Sequence, residues 1–274
     1  MNAYHEANRA KWQAAAAGWA RKKEYWRPAS SDPAVVLMPE ELELIGDVRG
    51  KSVCVLGSGD NQVVFAFAGM GALVTSVDIS QNQLDTAKKR AEEIGAEIRF
   101  VCSDVTDLKD LKNNSYDVVY TGGHVAVWVS DLFTYYSEAT RILKPGGLFL
   151  INEYHPFRRL WSDGAPALQL EKAYFDRGPH EYEHTESVLD RKPGVFKQYE
   201  FHWTVSEFLR AVMENGSELI CIHEAGDESE GWESVPMKGL PQRLLIAARK
   251  LEKPRELPLR GLHNRPRTRV PEGG

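Results

Sequence analysis

The stretch VCVLGSGDN (Val53–Asn61), read with VTSVDIS (Val74–Ser80), decides the fold. An apolar run ends in Gly57-Ser58-Gly59, a helix-compatible segment follows, and a second apolar run ends at Asp78. The order is strand, glycine turn, helix, strand, acid. The two glycines let the backbone turn sharply and approach a ligand closely. An acid nineteen residues after Gly59 stands where a carboxylate accepts both hydroxyls of a ribose. The pattern implies an adenosine-containing cofactor.

Outward from this unit the alternation continues. Strands are predicted at 52–56, 73–77, 98–102, 116–120 and 147–152, with helices between them at 61–69, 81–94, 105–111 and 131–143. Leu84, Ala87, Ala91 and Ile94 form one stripe of the second helix, and Lys144-Pro145-Gly146-Gly147 stops the fourth. Such alternation gives a doubly wound α/β fold, a parallel sheet covered on both faces. Residues 154–203 break it. They hold ten aromatics and four of the eight histidines and read as an inserted cap or antiparallel excursion. Thr204 to Asn215 returns to a helix with a Thr204–Glu207 capping box, and strands at 218–223 and 243–249 make a terminal hairpin. At the other end, residues 1–49 are a helical segment. Asn2 to Tyr25 is alanine-rich, with Trp12 and Trp19 two turns apart on one face, as in a helix packed on the body or closing over a ligand. The domain therefore runs over 1–250, with 251–274 a proline- and arginine-rich tail.

The chain has 274 residues and a net charge of −5; residues 250–274 carry a net +4, so the rest carries −9. An acidic body argues against nucleic acid as partner. No apolar run is long enough to span a membrane, and the first residues lack a signal peptide's apolar core, so the expected location is cytoplasmic. Cys54, Cys102 and Cys221 lack metal or redox spacing and read as reduced thiols.

A dinucleotide turn would want a glycine where Gln62 stands, and no tyrosine has a lysine four residues on, which argues against a nicotinamide cofactor. The chain instead resembles the class I methyltransferases that use S-adenosylmethionine (SAM), and among them the small-molecule branch similar to the menaquinone and ubiquinone biosynthesis enzymes. Four pieces in order carry the resemblance: the glycine turn, Asp78, Ser103-Asp104-Val105, and Asp117–Thr121 with the Leu143–Gly147 turn. It implies a Rossmann-like, mostly parallel seven-stranded sheet with an antiparallel terminal hairpin, an N-terminal helical lid and an aromatic-rich insert after strand five. It also implies SAM bound by Gly57, Ser58, Gly59, Asp78, Ile79, Ser103, Asp104, Val105, Thr121 and Gly122. Asp78 would hold the ribose and Asp104 the adenine amine, with Ile79 on the ring face. Two positions depart from the family pattern. Val55 stands where an acid is usual, and Asn61 replaces the third glycine, leaving the methionine ammonium to carbonyls near Gly57 and Thr121 or to Asp60. These departures keep a non-catalytic SAM-fold binding protein as an alternative, beside an NAD(P)-dependent oxidoreductase.

In an open α/β sheet the ligand lies beyond the carboxyl ends of the strands. The segments leaving strands four and five carry His124 and Trp128, and Tyr154 and His155. His124 and His155 are the candidate bases for deprotonating an acceptor, Trp128 and Tyr154 the candidate substrate walls. The acceptor is expected to be a small molecule, because Thr121-Gly-Gly-His124 stands where DNA amino-methylating enzymes carry Asn/Asp-Pro-Pro-aromatic. His180-Glu-Tyr-Glu-His184 matches the H-E-x-x-H zinc pattern, but Gly178-Pro179 precedes it and no third ligand is evident. A polar strand or loop is expected there, and no metal.

Overall fold

A computed structural model describes residues 1–20, 26–59, 61–186, 193–226 and 235–253. Five parallel strands form its centre: β1 (Ser52–Leu56), β2 (Leu73–Asp78), β3 (Ile98–Cys102), β4 (Tyr116–Gly122) and β5 (Leu143–Tyr154). After the insert come β6 (His180–Glu186) and β7 (Pro193–Glu200), an antiparallel pair of their own. Then β8 (Ser217–Ala225) and β9 (Arg243–Lys250) complete the main sheet. Its order is β3-β2-β1-β4-β5-β9-β8, with β9 antiparallel to both neighbours. That reversed strand distinguishes the sheet from the all-parallel dinucleotide order.

β1 lies at the middle and is apolar on both faces, as a central parallel strand must be. Its alternation divides the core in two. Val53 and Val55 face one cluster with Val64 and Phe67 of α4 (Gln62–Gly69) and Ile45 of α3 (Pro39–Ile45). Cys54 and Leu56 face the other, with Tyr135 and Tyr136 of α6 (Leu132–Ile142) and Phe208 of α7 (Val205–Glu214). Val55, at the family's acid position, is a core residue 1% exposed. Two more helices lie toward the β3 edge. α2 (Trp26–Ser31) packs on α4, and α5 (Gln81–Ile94) starts at Ser80, whose hydroxyl accepts from the Gln83 amide, and ends at Gly95 with φ +66°. The capping box of α7 forms as expected.

Two local expectations are corrected. No helix forms at 105–111. Consecutive i→i+3 turns close there, Asp107 N to Asp104 O and Leu111 N to Leu108 O. Asp104 captures the Thr106 amide, while Arg141 of α6 donates to the carbonyls of Leu108 and Leu111, and Glu138 accepts from the Leu108 amide. Those side chains satisfy the backbone groups a helix would have paired. The Lys144–Gly147 turn, in turn, lies inside β5 as a bulge: Leu143 already pairs with Tyr116, and pairing resumes at Val118 with Leu148.

α1 (Ala3–Ala20) lies between α5 and β7, across the carboxyl edge of the sheet. The side chain of Trp19, residues 21–25 at the end of the expected first helix, Asp60 and the tail from 254 onward fall outside what the structure describes.

Candidate functional site

Between that carboxyl edge and α1 lies a cavity of about 690 Å³. Its floor is the turn after β1. Gly57 has φ +61°, and a Cβ placed on it would lie 2.5 Å from Val125, so only glycine fits both the conformation and the space. Gly59, at φ +51°, donates its amide to Asp78 Oδ2 at 2.7 Å, while the Ser80 amide donates to Oδ1 at 2.7 Å. Asp78 therefore fixes the glycine turn and the start of α5 together. A carboxylate has about four lone-pair sites, so two backbone bonds do not exhaust it. Beside it Gln83 Oε1 is buried and, among the described residues, accepts no hydrogen bond. Ile79 and Val105 supply apolar wall. This end of the cavity fits an adenosyl group: a glycine turn no side chain could follow, a carboxylate at the strand end and an orphaned buried acceptor.

Asp104 also lines the cavity, but its oxygens are already engaged. Oδ1 accepts from the Thr106 amide and hydroxyl, and Oδ2 lies 2.6 Å from His5 Nδ1. Burial pushes the Asp104 carboxyl up, and the bonds from His5 and Thr106 more than offset it, holding it below its usual range. His5 Nε2 accepts from the Ser130 amide at 2.9 Å, which makes Nδ1 the protonated nitrogen and the donor to Asp104. His5 thus ties α1 to both the β3 and β4 loops. Asn8 accepts from the Tyr199 amide and donates to the Tyr199 and Trp128 carbonyls. The N-terminal helix is held over the cavity by polar hooks on its cavity face.

The other end of the cavity is walled by the insert and the β4 loop. His124 adopts φ +79°, a left-handed conformation rare for a non-glycine residue. Its ring stacks on Tyr154, with centroids 4.1 Å apart, and Arg159 Nη2 lies 3.0 Å from Nδ1 and 2.5 Å from Nε2. Burial, reinforced by the nearby cations Arg159, Arg158 and Lys11, holds His124 well below the usual imidazole range, so the ring is neutral. Glu153, 1% exposed at the end of β5, accepts from the amides of Val125 and Ala126, and burial pushes its carboxyl up to about 7. Trp128 packs edge-on against Trp12 at 5.4 Å. Lys11, Arg159 and Glu200 complete this end.

Of the residues expected from sequence, the structure brings Gly57, Ser58, Gly59, Asp78, Ile79, Asp104, Val105, His124, Trp128 and Tyr154 to one cavity. Four are not in its wall. Ser103 bonds the Asp107 carbonyl, Thr121 bonds Tyr135, and Gly122 packs against Tyr120. His155 caps the turn at Pro156–Leu160: Nδ1 accepts from the Phe157 amide, and Nε2 faces Glu224 at 2.8 Å. With both ring nitrogens engaged away from the cavity, its position is that of a loop cap. His180 and His184 lie four residues apart on β6, where a rise of about 3.3 Å per residue separates them by roughly 13 Å along the strand. Among the described residues no group of metal ligands converges. Sequence reasoning missed His5, Asn8, Lys11, Gln83, Arg159 and Glu200. A signal existed for the lid: His5, Asn8 and Trp12 recur at spacings of three and four, a polar-aromatic stripe on one helical face.

Residues 55–151 match the family described as methyltransferase domain. A ubiquinone biosynthesis O-methyltransferase from Idiomarina loihiensis is 29% identical over 134 residues, which is 49% of this chain and 55% of that protein. One from Coxiella burnetii is 31% identical over 130 residues, covering 46% and 54%. The chain thus spans about half the length of these relatives. Among solved structures, a SAM-dependent methyltransferase from Mesorhizobium loti aligns with TM-score 0.57 at 22% identity, over 82% of this chain and all of that one. The Burkholderia thailandensis 1,6-didemethyltoxoflavin-N1-methyltransferase, solved with bound 1,6-didemethyltoxoflavin and S-adenosylhomocysteine, aligns with TM-score 0.53 at 19% identity, over 92% of each chain. The fold is that of the SAM-dependent methyltransferases.

Proposed function

We propose that this chain, which carries a methyltransferase domain on the SAM-dependent fold, transfers a methyl group from SAM to a small-molecule acceptor. The observation that carries this is one continuous cavity that joins an adenosyl-shaped end to an aromatic-walled end, over the carboxyl edge of a sheet whose seventh strand is reversed.

When bound, the cofactor supplies an electrophilic sulfonium methyl; the protein's task is to align the acceptor with it and keep water out. Asp78 accepts from the ribose hydroxyls, with Gln83 as a second acceptor beside it. Ile79 and Val105 flank the base. Asp104 acts chiefly by fixing His5 and thereby the lid, a change from the adenine contact expected from sequence. The carbonyls of the Gly57 turn are the acceptors nearest to hand for the methionine ammonium, since Val55 is core. α1 closes the cavity against water. His124, neutral and facing the acceptor end, takes the proton of an attacking hydroxyl or amine once Arg159 shifts off its ring. The acceptor itself lies against Trp128 and Tyr154.

Calorimetric titration with S-adenosylhomocysteine, with NADP as control, tests the reading. Saturable binding of the thioether alone is expected, and binding of NADP instead would overturn it. Binding without turnover on any acceptor would favour the non-catalytic alternative. His124→Ala is expected to lower turnover by roughly 10²-fold or more while leaving cofactor affinity near wild type.

A further inference from the structure

The acceptor end of the cavity carries two cations that the protein leaves partly unanswered. Lys11, half-buried on the lid, makes no hydrogen bond or ion pair among the described residues; its ammonium lies 3.8 Å from the centre of the Trp12 ring and 5.2 Å from that of Trp128. Desolvation lowers its pKa to about 8 against the pull of Glu200. Arg159, from the turn after β5, has a buried Nε without an acceptor among the described residues. Glu200, a carboxylate in this part of the lining, is shared: it lies 3.8 Å from Arg159 and 3.4 Å from His202. Among the described lining residues at this end, Lys11 and Arg159 thus share Glu200, and the His124 imidazole beside Arg159 is neutral. A half-buried ammonium held by no direct ion pair or hydrogen bond is costly, and an incoming anion recovers that cost. The surfaces around the two cations are flat: the indoles of Trp12 and Trp128, and the stacked pair His124 and Tyr154.

We infer that Lys11 and Arg159 form an anion receptor, and that the acceptor methylated here is a planar aromatic carboxylate, with its reacting hydroxyl or amine turned toward His124. This inference rests on the methyltransferase reading and adds the class of acceptor. Cation–π contact holds the Lys11 ammonium above the indole faces, where an arene carboxylate can meet it. Arg159, which covers His124 in the structure, would swing onto the same carboxylate and uncover the base. The other carboxylate able to reach this cavity is that of the cofactor's methionine, and the test separates the two.

The full chain is titrated with S-adenosylhomocysteine and with 5′-methylthioadenosine, which lacks the methionine carboxylate. The cofactor-loaded protein is then titrated with three matched pairs: benzoate and benzamide, salicylate and salicylamide, nicotinate and nicotinamide. The wild type is expected to bind at least one carboxylate ten times more tightly than its amide. Lys11→Met and Arg159→Met should each shrink that preference to within about twofold, Lys11→Arg should retain it, and affinity for S-adenosylhomocysteine should stay within twofold. A wild type without preference for the carboxylates overturns the inference, as does a preference that survives both methionine variants with their circular dichroism unchanged. A tenfold loss for S-adenosylhomocysteine but not for 5′-methylthioadenosine in Lys11→Met also overturns it, since the lysine then serves the cofactor. Failure of the wild type to bind S-adenosylhomocysteine breaks the methyltransferase reading instead, and the carboxylate preference is then read on the unloaded chain.

Discussion

The two ends of the cavity are built by different physics. The adenosyl end comes from short windows of chain at the strand ends, Gly57–Gly59, Asp78–Gln83 and Asp104–Thr106, and its key bonds join a carboxylate to backbone amides. The acceptor end comes from side chains drawn from 11–12, 124–128, 154–159 and 200. The helix α1, which carries Lys11 and Trp12 to it, is held by bonds that span 99 residues from His5 to Asp104 and 191 from Asn8 to Tyr199. Backbone-built sites tolerate little change because the fold itself is the ligand surface. Side-chain-built sites can change residue by residue. The cofactor end is thus expected to be brittle and the acceptor end adjustable.

Gly57→Ala puts brittleness to its strongest test. A left-handed alanine costs about 1–2 kcal/mol, and forcing its Cβ against Val125 adds about 1–3. The expected loss of stability in urea denaturation is about 2–5 kcal/mol, with cofactor binding reduced in parallel. A loss below about 0.5 kcal/mol would mean that the turn gives way and that the contrast between the ends is wrong.

Glu153 lies at the seam, bonded to the amides of Val125 and Ala126. Its carboxyl is pushed up by burial to about 7, against 4.5 ordinarily. Between these values the folded chain holds a proton that the unfolded chain has lost. Its contribution therefore makes stability fall as pH rises through that window, with the loss complete above about pH 7. Glu153→Gln keeps an acceptor for both amides without the charge. It is expected to be more stable than the wild type at pH 8, by up to about 3 kcal/mol, and nearly equal to it at pH 4.5. Equal denaturation midpoints at both pH values would show that the seam is hydrated.

Asp78→Ala sharpens the comparison on the binding side. Loss of the ribose acceptor should weaken S-adenosylhomocysteine by about 1.5–3 kcal/mol, the scale of hydrogen bonds to a charged group. An unaltered dissociation constant would remove Asp78 from the cofactor site.

The same division explains what the sequence made legible. The strand–glycine–strand–acid order, the caps at Thr204 and the hairpin of β8 and β9 are local patterns, and they appear where they were expected. The 105–111 segment misled because its helix-like run of Leu108 and Leu111 is overruled from outside: Arg141 and Glu138, thirty residues away, claim its carbonyls and an amide. His155 looked like a rim histidine because it follows a strand end. The proline after it instead starts a tight turn, and the imidazole caps that turn. Lys11 and Arg159 carry no local mark at all; their meaning comes from lining the same end of one cavity.

The smallest expected effect tests whether the lid is separable from the cofactor end. Asn8 lies 3% exposed, and its amide behaves like a strand partner for the edge of β7, accepting from the Tyr199 amide at 2.8 Å and donating to the Tyr199 carbonyl at 2.9 Å. A third bond reaches the Trp128 carbonyl at 3.1 Å. Asn8→Ala removes all three, but the groups left behind lie at an edge that water can enter once α1 lifts, so the loss should be about 1–2 kcal/mol rather than the sum of three buried bonds. It should be local as well, with the Tyr199 amide exchanging hydrogen faster while amides of β1 and β4 keep their protection. Affinity for S-adenosylhomocysteine should hold within about threefold, because Asp78, Gln83 and the glycine turn do not depend on Asn8. A weakening as large as that of Asp78→Ala would make lid and cofactor end one cooperative unit. The acceptor end could then not be altered without loosening the cofactor.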